Sequence, residues 1–174
     1  FHDGEPFNAE AVCFNFDRWY NFSGPLQNSS VSYYWQTVFR GYAQNEDDTL
    51  PPSLYESCEA PDEQTAVIRI SEPSSAFLGA LALVNFGMAS PKALTDYEAD
   101  AGTVDEEAGV FQPSGTYGTE NPTGTGAYKF DSWERGDKLT LVSNGDYWGE
   151  AAKIDTLIFR PIADNAARLQ ALQT

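Results

Sequence analysis

A single histidine, His2, stands in the whole chain, and that scarcity removes the commonest catalytic apparatus at the outset. A Ser-His-Asp or Cys-His arrangement would have to depend on the second residue of the sequence. Zinc needs three or four nitrogen, sulfur or carboxylate ligands, and one imidazole with two distant cysteines, Cys13 and Cys58, does not supply such a set. Basic residues are also few. Ten lysines and arginines face 26 aspartates and glutamates, and the resulting formal charge of −16 repels phosphate backbones and anionic membrane faces, so nucleic acid is excluded as a partner. No apolar run reaches the roughly 18 residues that a membrane span requires. The longest candidate, Ala76 to Phe86, is interrupted by Gly79 and Asn85. Internal repeats are absent, and nothing points to a cofactor.

What remains is rich in core-forming side chains. Hydrophobic residues make up 41% of the chain and aromatic residues 14%, more than a disordered protein carries. The length of 174 residues suits one domain, or one lobe and part of another. A chain of this size buries roughly 70% of the surface that its unfolded form exposes. Both ends read as truncated: Phe1-His2-Asp3-Gly4 resembles a strand end entering a turn, and Ala166 to Thr174 stops mid-helix without a Gly or Pro terminator. The two cysteines admit two readings, a pair of buried thiols or a disulfide, and a bond would imply an oxidising compartment.

Periodicity outlines the elements. Asn8 is placed to cap a helix whose positions Ala9, Val12, Cys13, Phe16, Trp19 and Tyr20 follow the helical spacing of an apolar stripe. Asn21 to Ser30 reads as a loop, and the aromatic segment Tyr33 to Tyr42 fits a helix or a strand equally. Leu54 to Cys58 and Thr65 to Ile70 read as strands of an antiparallel hairpin. Ser74 or Ser75 is expected to cap a short helix through Leu83, and Ser90 with Pro91 opens another through Tyr97. Between them Asn85 to Ala89 is expected to be extended, and Ala99 to Thr125 reads as one long loop. Tyr128 to Trp133 and Lys138 to Ser143 form a hairpin around Glu134-Arg135-Gly136-Asp137. A strand over Thr156 to Pro161 leads to Asp164, which is placed to cap the last helix. Interleaved helices and strands make the class α/β or mixed α+β.

Several motifs have bland readings that outweigh their sharp ones. Asp105-Glu106-Glu107 is a solvated loop face, and Asn45 to Asp48 lacks the alternation of a calcium loop. Gly124-Thr125-Gly126 has no following Gly-Lys-Ser/Thr and reads as a tight strand-entry turn, not a phosphate cradle. Arg135-Gly136-Asp137 spells an adhesion tripeptide but sits where a hairpin needs its turn. Loop aromatics such as Phe86 and Tyr117 either pad a core or stack on a ligand.

Taken in order, longer strings form a pattern. Phe1-His2-Asp3-Gly4-Glu5-Pro6-Phe7-Asn8-Ala9-Glu10-Ala11-Val12 opens it, and Phe14-Asn15-Phe16-Asp17-Arg18-Trp19 continues it. Ser90-Pro91-Lys92-Ala93-Leu94, Gly124-Thr125-Gly126-Ala127-Tyr128-Lys129-Phe130, Asp146-Tyr147-Trp148-Gly149 and the run Ile154 to Leu172 follow. Together they resemble family 5 of the extracellular solute-binding proteins, the peptide- and nickel-binding group that serves ABC importers. The family's usual Gly-Thr-Gly-Pro-Tyr carries Ala127 here. The resemblance is closest to actinobacterial members, in which cysteines like Cys13 and Cys58 occur together, and so implies that the two are bonded.

The resemblance implies a type II periplasmic-binding-protein-like fold, of which this chain is part of the first lobe. Residues 1–7 would be the end of a first-lobe strand with its turn, 8–122 a small accessory subdomain, and 123–174 a return to the first-lobe sheet, with the second lobe absent. It implies a non-catalytic, extracytoplasmic receptor, in the periplasm or on the cell surface as a lipoprotein, that captures an oligopeptide-like solute for an ABC permease. Oligosaccharide and metal-chelate cargo are the alternatives within the family, and a carbohydrate-active enzyme or sugar-binding module is the rival from another class. Asn85, Phe86, Gly87, Met88 and Tyr117 are the candidate solute-contacting residues.

Overall fold

The computed structural model describes residues 1–105 and 107–173, so Glu106 of the acidic trio and Thr174, expected in the last helix, lie outside the described residues. Their neighbours Asp105 and Glu107 are exposed. The chain divides into two compact units, Phe1–Thr125 and Gly126–Thr174.

The first unit is organised by helix α1, Ala9–Tyr20, which starts where the Asn8 side chain accepts a hydrogen bond from the Ala11 N–H at 2.9 Å. Its buried face runs through Ala9, Ala11, Cys13, Asn15, Phe16 and Trp19, while Val12 and Tyr20 are half-buried. The helix packs on an antiparallel hairpin of β1, Tyr55–Asp62, and β2, Thr65–Ile70. The Ala9 N–H donates to the Glu63 carbonyl at 2.9 Å, fixing the helix start to the hairpin turn. A disulfide joins Cys13 to Cys58 across the same contact.

The aromatic segment is helical: α2 spans Ser29–Phe39 under an Asn28 cap. Ser32, Trp35 and Phe39, spaced by three and four, turn inward, an arrangement that a strand's two-residue period could not give. The helix ends at Arg40, whose φ of 70° and ψ of −94° leave helical geometry while its N–H still donates to the Gln36 carbonyl at 2.9 Å. Phe16, Trp19, Trp35, Phe39, Tyr42, Leu54, Tyr55 and Phe86 form one buried cluster. Phe39 is its hub, stacked on Trp35 at 4.4 Å and edge-on to Phe16 at 5.9 Å and to Phe86 at 5.6 Å. Rings packed this way combine large buried area with favourable quadrupole geometry.

Four expectations are corrected here. The loop expected over Asn21 to Ser30 contains a 3-10 turn, Gly24–Gln27, and its last two serines already belong to α2. The helix expected from Ser74 or Ser75 is only α3, Phe77–Leu81, without a side-chain cap, and Gly79 weakens it from within. The link expected to be extended begins as a 3-10 turn, Val84–Phe86, because the Leu83 carbonyl accepts from the Phe86 N–H at 3.0 Å, and this turn buries Phe86. The expected loop from Ala99 to Thr125 holds a hairpin of β3, Gly102–Asp105, and β4, Val110–Pro113, and then one helical turn, α5, Tyr117–Glu120. Four-residue strands are too short to show alternation, and the Asp105 carboxylate closes their turn by accepting from the Glu107 and Ala108 N–H groups. Between α3 and this hairpin lies α4, Pro91–Asp96, capped by Ser90 as expected.

The second unit is an antiparallel sheet in the order β5-β6-β7, with β5 over Tyr128–Glu134, β6 over Lys138–Ser143 and β7 over Thr156–Phe159. Helix α6, Asn165–Gln173, follows, with the Asp164 carboxylate accepting from the Ala167 N–H at 2.7 Å. Arg135-Gly136-Asp137 forms the β5–β6 turn, where Gly136 has φ +82°. Arg135 lies over the Trp133 ring at 5.2 Å and Asp137 pairs with Arg160 at 2.7 Å, so both charged members of the tripeptide are engaged within the sheet.

Candidate functional site

The connection between α3 and α4 is built from two anchors and an exposed stretch. Phe86 is the first anchor: it is 5% exposed and edge-on to Trp19 at 5.4 Å, so its ring is part of the core. The second is the pair Ala89 and Ser90. The Asn15 side chain, wholly buried, donates to the Ala89 carbonyl at 2.9 Å and accepts from the Ala89 N–H at 3.1 Å. Ser90, also fully buried, donates its hydroxyl to Asp3 at 2.6 Å and its N–H to the Thr123 carbonyl at 3.1 Å. Between and before these anchors Asn85 and Gly87 are exposed and Met88 is half-buried.

Tyr117 approaches from the other side. Its hydroxyl lies 3.4 Å from both the N–H and the carbonyl of Thr123, and burial pushes its pKa up, opposed by the Thr123 hydrogen bond. The neighbouring Gly124 accepts from the His2 N–H at 2.9 Å and passes near the Met88 carbonyl. The structure therefore brings Met88 and Tyr117 to one segment, residues 123–124, while Phe86 turns away from it into the core. Val84, immediately before the link, is 92% exposed.

Asn85 and Phe86 also line a cavity of about 270 Å³ with Trp19, Phe22, Trp35 and Phe111. Arg18 stands in its wall, bonded through Nε to both carboxylate oxygens of Asp100 at 3.0 and 2.9 Å and lying over Phe22 at 5.1 Å. With that guanidinium paired, the cavity offers aromatic surface, the Asn85 carboxamide and the hydroxyl-bearing side chains of Ser32 and Tyr34, which suits weak, shape-directed contact. Among the described residues no group of three or more His, Cys, Asp or Glu side chains is placed to hold a metal ion. No described helix is long and apolar enough to cross a membrane.

Asn15, Asp3 and Thr123 are the residues that sequence reasoning missed. Asn15 did leave a trace, as a carboxamide inside the apolar run Cys13-Phe14-Asn15-Phe16, and such a residue must find partners when its helix packs. Asp3 and Thr123 left none.

Comparison with known proteins gives the geometry a setting. The family model described as "Bacterial extracellular solute-binding proteins, family 5 Middle" matches residues 1–174, in agreement with the family resemblance of the sequence. The glutathione-binding protein GsiB of Pectobacterium atrosepticum is 30% identical over 175 residues, covering 100% of this chain and 27% of that protein. Among solved structures, the periplasmic binding protein DppA from Helicobacter pylori, in complex with peptide STSA, superposes with a TM-score of 0.67 at 23% identity, over 96% of this chain and 28% of that one. NikZ from Campylobacter jejuni, in complex with Ni(L-His), gives 0.68 at 24% identity, over 99% and 27%. These superpositions place the chain in the type II binding-protein fold, and the chain spans about a quarter of the relatives' length.

Proposed function

Because this chain belongs to the bacterial extracellular solute-binding proteins, family 5, we propose that it is part of an extracytoplasmic receptor that captures an oligopeptide-like solute and delivers it to the permease of an ABC importer. The observation that carries the reading is the family match across all 174 residues. The cargo class rests on the relative at 30% identity, which is named for glutathione, itself a short peptide. The Cys13–Cys58 disulfide supports an oxidising compartment outside the cytoplasm.

Within this reading residues 8–122 act as the accessory subdomain and 123–174 rejoin the first-lobe sheet, the second lobe being contributed by sequence outside these residues. Asn85, Gly87, Met88 and Tyr117 touch the solute, and Phe86 supports the link from the core. Closure of two lobes around the solute selects the state that the permease accepts, and no covalent bond is made or broken.

Mass spectrometry of the small molecules released on denaturing natively purified full-length protein tests the proposal, followed by calorimetric titration with what is found. Peptides with saturable binding and no product are expected. A metal chelate or an oligosaccharide would overturn the cargo class, and chemical turnover would overturn the receptor reading itself.

A further inference from the structure

We propose that Asn15 is a positioning residue for the solute-facing link, presetting the pose of residues 85–89 through a two-bond clasp on the backbone of Ala89. The inference rests on the reading that this link meets the solute.

A carboxamide at zero exposure beside aromatic rings is unfavourable unless its hydrogen-bonding groups are met. An apolar side chain would fill this buried place without that requirement, so packing alone does not account for an asparagine here. One amide proton of Asn15 goes to the Ala11 carbonyl of its own helix at 2.8 Å. Its remaining bonds meet both the carbonyl and the N–H of a single residue 74 positions away. A side chain that accepts from and donates to the same residue imitates a strand pairing and restrains that residue in translation and rotation together.

The frame behind the clasp is stiff. Two residues before Asn15, the disulfide binds α1 to β1, and the Ala9 N–H holds the helix start to the hairpin turn. The residue after Ala89 is held in its turn by Asp3 and Thr123. The link thus leaves the Phe86 anchor and arrives at a docked Ala89, with only Gly87 and Met88 between. A link held in one pose need not be ordered when solute arrives, whereas a released link binds only through the fraction of molecules in the competent pose.

The test compares wild-type full-length protein with Asn15→Leu and with Ile68→Ala, a control that loosens the hairpin side of the core without touching the link. Hydrogen exchange is followed at residues 84–90, and affinity is measured for glutathione and for the tetrapeptide Ser-Thr-Ser-Ala. Asn15→Leu is expected to speed exchange of the link amides about tenfold, leave the amides of the 55–70 hairpin within about twofold, and raise the dissociation constant about tenfold. If Asn15→Leu does not fold, Asn15→Ser removes the reach to Ala89 while keeping a smaller polar group. Unchanged link exchange, or an affinity loss no greater than that of Ile68→Ala at matched melting temperature, would overturn the clasp. Failure of the wild type to bind either probe counts against the cargo class alone, and exchange at the link then decides the clasp.

Discussion

The sulfur of Cys13 on α1 is bonded to that of Cys58 on β1, bringing their Cα atoms to 5.1 Å, and two residues further along the same helix Asn15 reaches Ala89. One helix therefore carries both the covalent tie of the first unit and the polar hold on its exposed link.

Removing the tie should be costly. The bond spans a sequence separation of 45, and closing a loop of that length restricts the unfolded chain by about 4 kcal/mol. The double variant Cys13→Ser/Cys58→Ser is expected to lose an amount of that order in urea denaturation. Reductant should destabilise the wild type similarly and leave the double variant unmoved. A wild type indifferent to reductant would show that the bond contributes nothing.

Alkaline pH should weaken the core through Tyr55. This residue is 1% exposed and donates to the Asp17 carboxylate at 2.5 Å, and burial first, then Asp17, push its pKa far up. The folded state therefore favours the protonated phenol, so its contribution is complete below the unfolded tyrosine value of about 10 and declines above it. The slope for one such group is about 1.4 kcal/mol per pH unit. Denaturation midpoints measured between about pH 8 and pH 11 should fall more steeply for the wild type than for Tyr55→Phe.

Two positions on α2 should respond in opposite ways. Phe39 is wholly buried, and Phe39→Ala is expected to cost about 3–5 kcal/mol by opening a cavity among its ring partners. Tyr33, 58% exposed, should tolerate alanine within about 0.5 kcal/mol. Equal losses in thermal or chemical denaturation would mean that the inward face of α2 has been misassigned.

Gly136 should behave as a turn residue. At φ +82° an alanine is expected to cost about 1 kcal/mol, with asparagine milder. The melting of the β5–β6 hairpin, followed by the near-ultraviolet signal of Trp133, measures this. No loss in Gly136→Ala would remove the structural account of Arg135-Gly136-Asp137.

The elements that could be read from the chain are those specified within one or two turns. Asn8, Ser90 and Asp164 each cap a helix from three residues away, and the β1–β2 and β5–β6 hairpins join strands adjacent in sequence. The family pattern was legible for a related reason, since its short strings sit at those caps and turns and keep their order from Phe1 to Leu172. Length and aromatic content likewise required a buried core without showing which rings would form it.

Other features depended on residues far apart. Tyr33 to Tyr42 suits either period until Phe16 and Tyr55 supply the surface that Trp35 and Phe39 meet. Phe86 becomes a core ring because a tight turn at Val84 aims it at Trp19, 67 positions earlier by their numbers. The partners of Asn15 and Ser90 lie 74 and 87 positions away. Local spacing records caps and stripes because their energies arise between near neighbours, whereas a clasp between distant segments exists only after the chain has folded back and excluded water from it.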